Sequence, residues 1–528
     1  MIDASFDPID RSDLGLNEPS RIDQPRMGAR LARAGAATVA GNVWAVIVGV
    51  ATLSIVLRGL GPTQFGLWVL LQTLSAVSGW LSLADLGLRA AVVREIAHAL
   101  GRGDGDTANR IAGTALRLYC ALALAVGLVV FVLGRSLLGS WFATPDGLTA
   151  TFRLATVWFA MQISAEIGLV AAQTQIEGNQ RVDIARAIHA LRATAVAASI
   201  AVAASTSGSL SSVAGASAGA TCLAAVSAWF VASRVTTTRP LGWSRPLAMQ
   251  LVRYGAQIGA INATGVLHRT MDRIVVSAIY GPAAVVLVEI ATQIANGASI
   301  ALSVAHPLTA TAAWVDGRGD EAGLRRLLLR GTKLTLLATL PAAAIGTFLA
   351  PNIVEVWVGT RWSDAASLAA LAVAGAVLAA PSQPSSLLLQ ATGRARVVLI
   401  PAVAAVGANL ALSIVLARRH GVAGVFWATI ATAVALGFPI VTRALRHTGT
   451  AVEALFRTAF APTIVPAAAA FGGALLGRMI DGGLTGLVAG CAASLTAWSL
   501  TTIACGLGRD DRASLLAAFS PRGRAIPR

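Results

Sequence analysis

The sequence predicts an all-α integral membrane protein with about fourteen transmembrane helices, laid out as two parallel six-helix repeats followed by two further C-terminal helices. Three observations predict it: the composition, the count of apolar runs, and an internal repeat. Of 528 residues, 55% are hydrophobic and only 12% charged, with a mean hydropathy of +0.70. Soluble domains carry about 25% charged residues. The abundant Ala, Leu, Val and Gly suit close packing between membrane helices.

A run of about 20 apolar residues spans a bilayer. Such runs fall at 36–57, 65–87, 110–133, 150–173, 183–205, 210–232, 254–279, 283–311, 327–350, 364–389, 397–417, 421–442, 458–477 and 484–507. With the N-terminus inside and the side alternating, thirty of the 41 basic residues fall on the inner side and seven on the outer, with four inside spans. That split is a strong positive-inside signal and places both termini in the cytoplasm. The net charge of +16 thus reads as topology, and no nucleic-acid partner is expected.

Short patterns recur at nearly one offset. "GRGD" stands at 101–104 and 317–320, Trp141 is followed by Trp357, Q-x-x-G-x-x-R spans Gln175–Arg181 and Gln390–Arg396, and "GP" closes runs at 61–62 and 281–282. A six-helix unit is therefore duplicated with both copies facing the same way, a layout that places a transport site between the halves. The expected organisation is a disordered cytoplasmic tail at 1–34, a six-helix bundle at 35–233, a cytoplasmic linker at 234–253, a second bundle at 254–447, two extra helices at 448–507 and a tail at 508–528.

Several motif matches carry no chemistry in this context. "GASAG" (Gly215–Gly219) has the letters of a nucleophile elbow but lies inside an apolar run rather than at a strand-to-helix turn. "DGD" (Asp104–Asp106) and both "GRGD" copies sit in short inner loops, where Gly and Asp make turns. There is one lysine, Lys333, and no phosphate-binding G-x-x-x-x-G-K-[ST], so no ATPase is encoded here. Cys120, Cys222, Cys491 and Cys505 lie in apolar runs without metal-ligand spacing and read as small hydrophobes. No metal site and no catalytic residue is expected. The absence of a large outer region argues for transport rather than glycosyl transfer or polymerisation.

The stretch "LRGLGPTQFGLWVLLQTLSAVSGWLSLADLGLRAAVVREIAHALGRGD" contains R-x-L-G-P-x-x-[FY]-G-x-W at Arg58–Trp68 and "DLG" at Asp85–Gly87, and the second half contains "MDRIVVSAIYGP" at Met271–Pro282. On these residues the chain strongly resembles the polysaccharide-transporter branch of the multidrug/oligosaccharidyl-lipid/polysaccharide (MOP) exporter superfamily, over roughly 36–450. It departs from that pattern at "GPAAVVLVEI", where the family usually has Gly-x-Tyr, and in its longer polar N-terminal tail. The resemblance implies a flippase for undecaprenyl-pyrophosphate-linked oligosaccharide, an O-antigen or exopolysaccharide repeat unit, in the bacterial inner membrane. It also implies a V-shaped, alternating-access arrangement of the two six-helix bundles, a cationic central cavity and, as partners, the glycan lipid, the membrane and polysaccharide polymerase machinery. The competing readings are a peptidoglycan lipid-precursor flippase, a drug/cation antiporter of the same superfamily and, further off, a membrane glycosyltransferase or polymerase.

The candidate site residues are polar groups placed where they are expensive. A charge at the bilayer centre costs about 2.5–3.5 kcal/mol. The seventh run carries His268, Arg269, Asp272 and Arg273, read as one arc of a helix. Arg269 lies about 18 Å of helix from Gly281. Asp272 is expected to neutralise one arginine, leaving the other for a pyrophosphate. Arg269, Arg273, Arg117, Arg192 and His268 are the candidate substrate-cavity residues. Asp272, Glu289 and the isolated Glu166 are candidates for coupling to a proton or sodium ion, with no other cofactor expected. Glu289 is also a potential partner of Arg273. Gln293 and Asn296, on the face of Glu289, are expected to line the cavity. Arg192, with Asp183, Arg186 and His189, also reads as a solvated helix end. Asp85 and Arg89 are expected to form a structural ion pair. Trp44, Trp68 and Trp80 read as packing or interface anchors.

Overall fold

The computed structural model describes residues 24–508 except 76–78, 86, 137, 143, 180, 303–307, 309–311, 313–314, 317–318 and 481–482; side chains are described from Trp44 onward, with some exceptions inside helices. Most of the two expected tails lie outside these residues. Helices joined by short loops make up the described chain, with no strand among the described residues.

The helices of ten or more residues are, in order, α1 (Gln24–Thr73), α2 (Leu88–Gly101), α3 (Gly105–Ser136), α4 (Thr149–Gly178), α5 (Val182–Ser207), α6 (Leu210–Val235), α7 (Arg245–Tyr280), α8 (Val285–Leu302), α9 (Glu321–Phe348), α10 (Asp364–Ala379), α11 (Ser382–Ala391), α12 (Ala395–His420), α13 (Ala423–His447), α14 (Ala461–Ile480) and α15 (Leu484–Thr501). Among the described residues nine helices are long and apolar enough to cross a membrane; a tenth is added if α10 and α11, bent by 43° at their junction, count as one span. The remaining predicted runs fall on α1, α7 and α8.

α1 is two expected spans joined across a kink at Gly61, whose backbone (φ 70°, ψ 168°) is one that only glycine adopts easily. Gly281 takes nearly the same angles (φ 81°, ψ 168°), and each glycine is followed by a helix-starting proline. The "GRGD" turns also superpose in their bonding. Gly103 and Gly319 have φ of 73° and 68°. Asp104 N–H donates to Ala99 O at 3.0 Å and Asp320 N–H to Val315 O at 3.3 Å. The carboxylates cap the next helix, Asp104 accepting from Thr107 N–H at 2.9 Å and Asp320 from Gly323 N–H at 2.7 Å. The bonds from Thr107 hold the Asp104 carboxyl below the usual carboxylate range. The repeat is thus a repeat of backbone geometry.

The second predicted span is broken. α1 ends at Thr73, and a short 3-10 turn, Trp80–Asp85, precedes α2. Gly79 donates to Ser75 O at 3.0 Å and fits so tightly against Thr73 and Ser75 that a Cβ would overlap their backbone. Ser75, just past the end of α1, is buried.

The two halves meet at both ends. Near the kink, Gly66 of α1 packs on the Pro282 carbonyl; near the start of α2, Gly87 (φ 71°) packs on Gly255 and Gly259 of α7. Trp357 Nε1–H donates to Val50 O at 2.6 Å, and Trp80 Nε1–H donates to Thr270 Oγ1. Gly66→Ala places a methyl on the Pro282 carbonyl, so it is expected to destabilise the fold by about 1–3 kcal/mol, the range for overpacking. Thermal unfolding in detergent measures this, and an unchanged midpoint would contradict the contact.

The linker is strapped to the first half. Gln175 Nε2 donates to Thr238 O at 2.9 Å, Asn179 Nδ2 to Thr238 Oγ1 at 2.9 Å, and Arg239 N–H to Asn109 Oδ1 at 2.6 Å.

Candidate functional site

A cavity of about 300 Å³ lies between the halves, walled by both legs of α1 and by α5, with Arg273 of α7 and Glu289 and Gln293 of α8 on the opposite side. Trp68 and Gln72 line it from the second leg of α1. Arg273 Nη2 pairs with Glu289 Oε2 at 2.8 Å, with side chains 19% and 9% exposed. Gln293 Nε2 donates to Glu289 Oε1 at 2.9 Å. Two buried donors are unspent: Arg273 Nε and Gln72 Nε2 have no hydrogen-bond partner among the described residues. Glu289, named from the sequence as a potential partner of Arg273, is its partner in the structure. Asn296 shares their face but lies about 10 Å further along α8 and is not in the lining.

The charged arc of α7 divides. Residues 268 and 273 are five apart, about 140° round the helix. Arg273 turns to α8 and the central cavity. His268 instead lines a second cavity of about 250 Å³, bounded by α7, α10, α11, α12 and α13. Asp272 follows His268: its Oδ2 accepts from Thr429 Oγ1 of α13 at 3.4 Å. The expectation that Asp272 neutralises an arginine while a second stays uncompensated is therefore corrected for Arg273, whose acid is Glu289. The Arg269 side chain lies outside the described residues.

Glu166 of α4 is not isolated. Arg192 of α5 pairs with it at 2.6 Å, their side chains 1% and 12% exposed. Ser75 Oγ donates to Glu166 Oε2 at 2.9 Å and Gln162 Nε2 to Glu166 Oε1 at 3.1 Å. Gln162 also reaches Gln72 Oε1 at 3.5 Å, which links this buried network to the central cavity. Arg192 is accordingly no solvated helix end. Neither residue lines the cavity directly.

Arg117 is a further correction. It is exposed, and its Nη1 donates to the carbonyl of Gly242 in the linker. The reason is that the linker folds back along this part of α3: Ser244 N–H donates to Thr114 Oγ1 at 3.2 Å, one turn before Arg117. Arg89 does not pair with Asp85. Its guanidinium takes Glu177 in a two-pronged contact, Nε to Oε2 at 3.1 Å and Nη2 to Oε1 at 2.6 Å. Asp85 Oδ2 accepts instead from the Arg89 backbone N–H at 3.4 Å, because α2 begins only at Leu88 and Asp85 stands just before it. Trp44 and Trp80 make hydrogen bonds to Thr194 and Thr270, as packing anchors do, whereas Trp68 is a cavity wall.

Sequence reasoning missed Glu177, Ser75, Gln72 and Gln162. Glu177 sits inside the repeated Gln175–Arg181 pattern, which was a usable signal. Ser75 carried none, since serine is unremarkable in an apolar run.

The model for polysaccharide biosynthesis proteins matches this chain over residues 55–367, more than half its length. The chain belongs to the polysaccharide biosynthesis protein family. No curated protein matches it. This polysaccharide biosynthesis protein shares its fold with solved transporters. An inward-facing multidrug resistance MATE family transporter of the MOP superfamily is 16% identical with a TM-score of 0.66, covering 78% of this chain and 96% of that one. A MOP superfamily transporter from Pyrococcus furiosus is 15% identical with a TM-score of 0.60, covering 80% and 95%. An outward-facing MATE family transporter is 17% identical with a TM-score of 0.58, covering 81% and 96%. The fold is that of MOP superfamily transporters, and the chain is a multi-pass membrane protein.

Proposed function

We propose that this chain is a flippase that carries undecaprenyl-pyrophosphate-linked oligosaccharide, an O-antigen or exopolysaccharide repeat unit, across the bacterial inner membrane with both termini in the cytoplasm. Family and fold support a transporter in polysaccharide biosynthesis. The observation that carries the substrate reading is the central cavity with its two unspent donors, Arg273 Nε and Gln72 Nε2. A pyrophosphate supplies only acceptors and suits a guanidinium fork.

In this mechanism the headgroup enters the cavity and competes with Glu289 for Arg273. Each buried charge is costly unless partnered, so a Glu289 released from Arg273 takes up a proton or a cation. That exchange couples substrate binding to an ion. Rocking of the halves about the Gly66 and Gly87 contacts then presents the headgroup outside, while the polyprenyl tail stays in lipid. A drug/cation antiporter would need Glu289 available to a cation, and Arg273 already occupies it.

A strain lacking the gene tests this. Labelled lipid-linked glycan is expected to accumulate on the inner leaflet, and complementation to restore its transfer. If no such lipid accumulates, the flippase reading is wrong.

A further inference from the structure

We infer that the segment joining the two halves, residues 234–253, is a membrane-surface anchor whose arginines hold the headgroups of anionic phospholipids. Such an anchor needs only that the chain spans a membrane, whatever it transports. The bilayer surface concerned is the cytoplasmic one on the topology proposed above.

The sequence sets the charge. The segment reads RVTTTRPLGWSRPLAMQLVR, with four arginines and no acid to pair with them. Arg239, Arg245 and Arg253 are exposed. The side chains between them are apolar and equally open: Leu241, Trp243 and Met249 are each more than half exposed. A connection that met only water would have no use for large apolar groups on its surface. Basic and apolar groups side by side, with a tryptophan among them, suit the headgroup layer of a bilayer.

The fold puts this segment against lipid. It runs along α3, where Leu241 N–H donates to Asn109 O at 3.3 Å, Ser244 N–H to Thr114 Oγ1 at 3.2 Å and Arg117 Nη1–H to Gly242 O. Gly113 allows the close approach, since a Cβ there would overlap the carbonyls of Leu241 and Gly242. On α3, Arg110, Arg117, Leu124 and Leu128 follow at steps of seven, seven and four, so they form one stripe. All four are exposed. Leu124 and Leu128 belong to an apolar span and face lipid tails. Arg117 stands on the same stripe, about 10 Å of helix from Leu124, which brings its guanidinium to the edge of the lipid beside the strapped segment. A guanidinium has five N–H groups, and Gly242 takes one. A lipid phosphate offers acceptors of the right shape for the others. Beyond the strap, residues 245–253 of α7 precede the apolar run that begins at 254, and Arg245, Met249 and Arg253 share one face there at intervals of four.

Full-length protein in neutral detergent, titrated with phosphatidylglycerol and with phosphatidylcholine as the control without net charge, tests the anchor. An arginine near a membrane surface is worth about fivefold in binding of anionic lipid. Arg239→Gln/Arg245→Gln is therefore expected to weaken phosphatidylglycerol binding about 25-fold and to leave phosphatidylcholine binding unchanged. Arg102→Gln/Arg394→Gln removes the same charge from exposed positions elsewhere and is expected to change neither. Equal loss in the two double variants would mean that net charge alone attracts the lipid, which overturns the anchor, as does unchanged binding in both. A second readout leaves the charge intact. Phosphatidylglycerol with brominated tails is expected to quench a part of the tryptophan emission that Trp243→Phe lacks. Identical quenching in wild type and Trp243→Phe would place the lipid elsewhere and overturn the proposal too.

Discussion

Arg273→Ala is expected to cut transport of the lipid-linked glycan by about 10- to 100-fold. A hydrogen bond to a charged group contributes about 1.5–3 kcal/mol, and each 1.4 kcal/mol is tenfold in affinity. The substitution also strands Glu289, which is 9% exposed and would sit unpaired in the cavity wall. The informative variant is therefore Arg273→Ala/Glu289→Gln, which removes both charges. It is expected to fold and reach the membrane, yet still fail to transport. Leaflet-resolved labelling of the lipid in complemented cells measures this. A double variant with normal transport would mean that the Arg273–Glu289 pair only holds α7 to α8.

The largest expected stability effect is at the other buried pair. Glu166→Ala leaves Arg192 without its carboxylate and also removes the acceptor that Ser75 Oγ and Gln162 Nε2 share. Removing one partner of a buried ion pair costs about 3–5 kcal/mol, so little folded protein is expected in the membrane. Glu166→Gln/Arg192→Met, which removes both charges at similar volume, is expected to recover most of that loss, because replacing a buried pair by packed neutral groups is close to neutral. Yield of monodisperse protein and the midpoint of unfolding in detergent report both. If Glu166→Ala alone folds normally but stops transport, Glu166 has a role in coupling rather than in holding α4 to α5.

The sequence was legible where the physics is periodic or additive. Apolar runs mark helices because a bilayer demands a fixed length of them, and every predicted run coincides with helix at least in part. The duplication was legible because glycines at positive φ and capping aspartates leave fixed letters: Gly61 and Gly281, and Asp104 and Asp320. The break after Thr73 was not legible, since the apolar run continues in the sequence past the point where α1 ends.

Pairings were the least legible. Arg89 meets Glu177 across 88 residues and Arg192 meets Glu166 across 26, and sequence spacing says nothing about such partners. Within one helix, spacing should have warned that His268 and Arg273 diverge, because five residues turn about 140°. Arg117 meets the linker, which folds back along α3 from 125 residues away, and no local pattern shows that contact.

The most direct measurement of the central claim is made on proteoliposomes holding the purified protein and lipid-linked glycan, with an enzyme or reagent outside that modifies only exposed glycan. The account predicts that wild-type protein exposes the inner pool, while Arg273→Ala/Glu289→Gln vesicles protect about half of the lipid, as protein-free vesicles do. Equal exposure by wild type and variant would contradict the role of Arg273, and protection in the wild-type vesicles under every ion gradient would contradict the flippase itself.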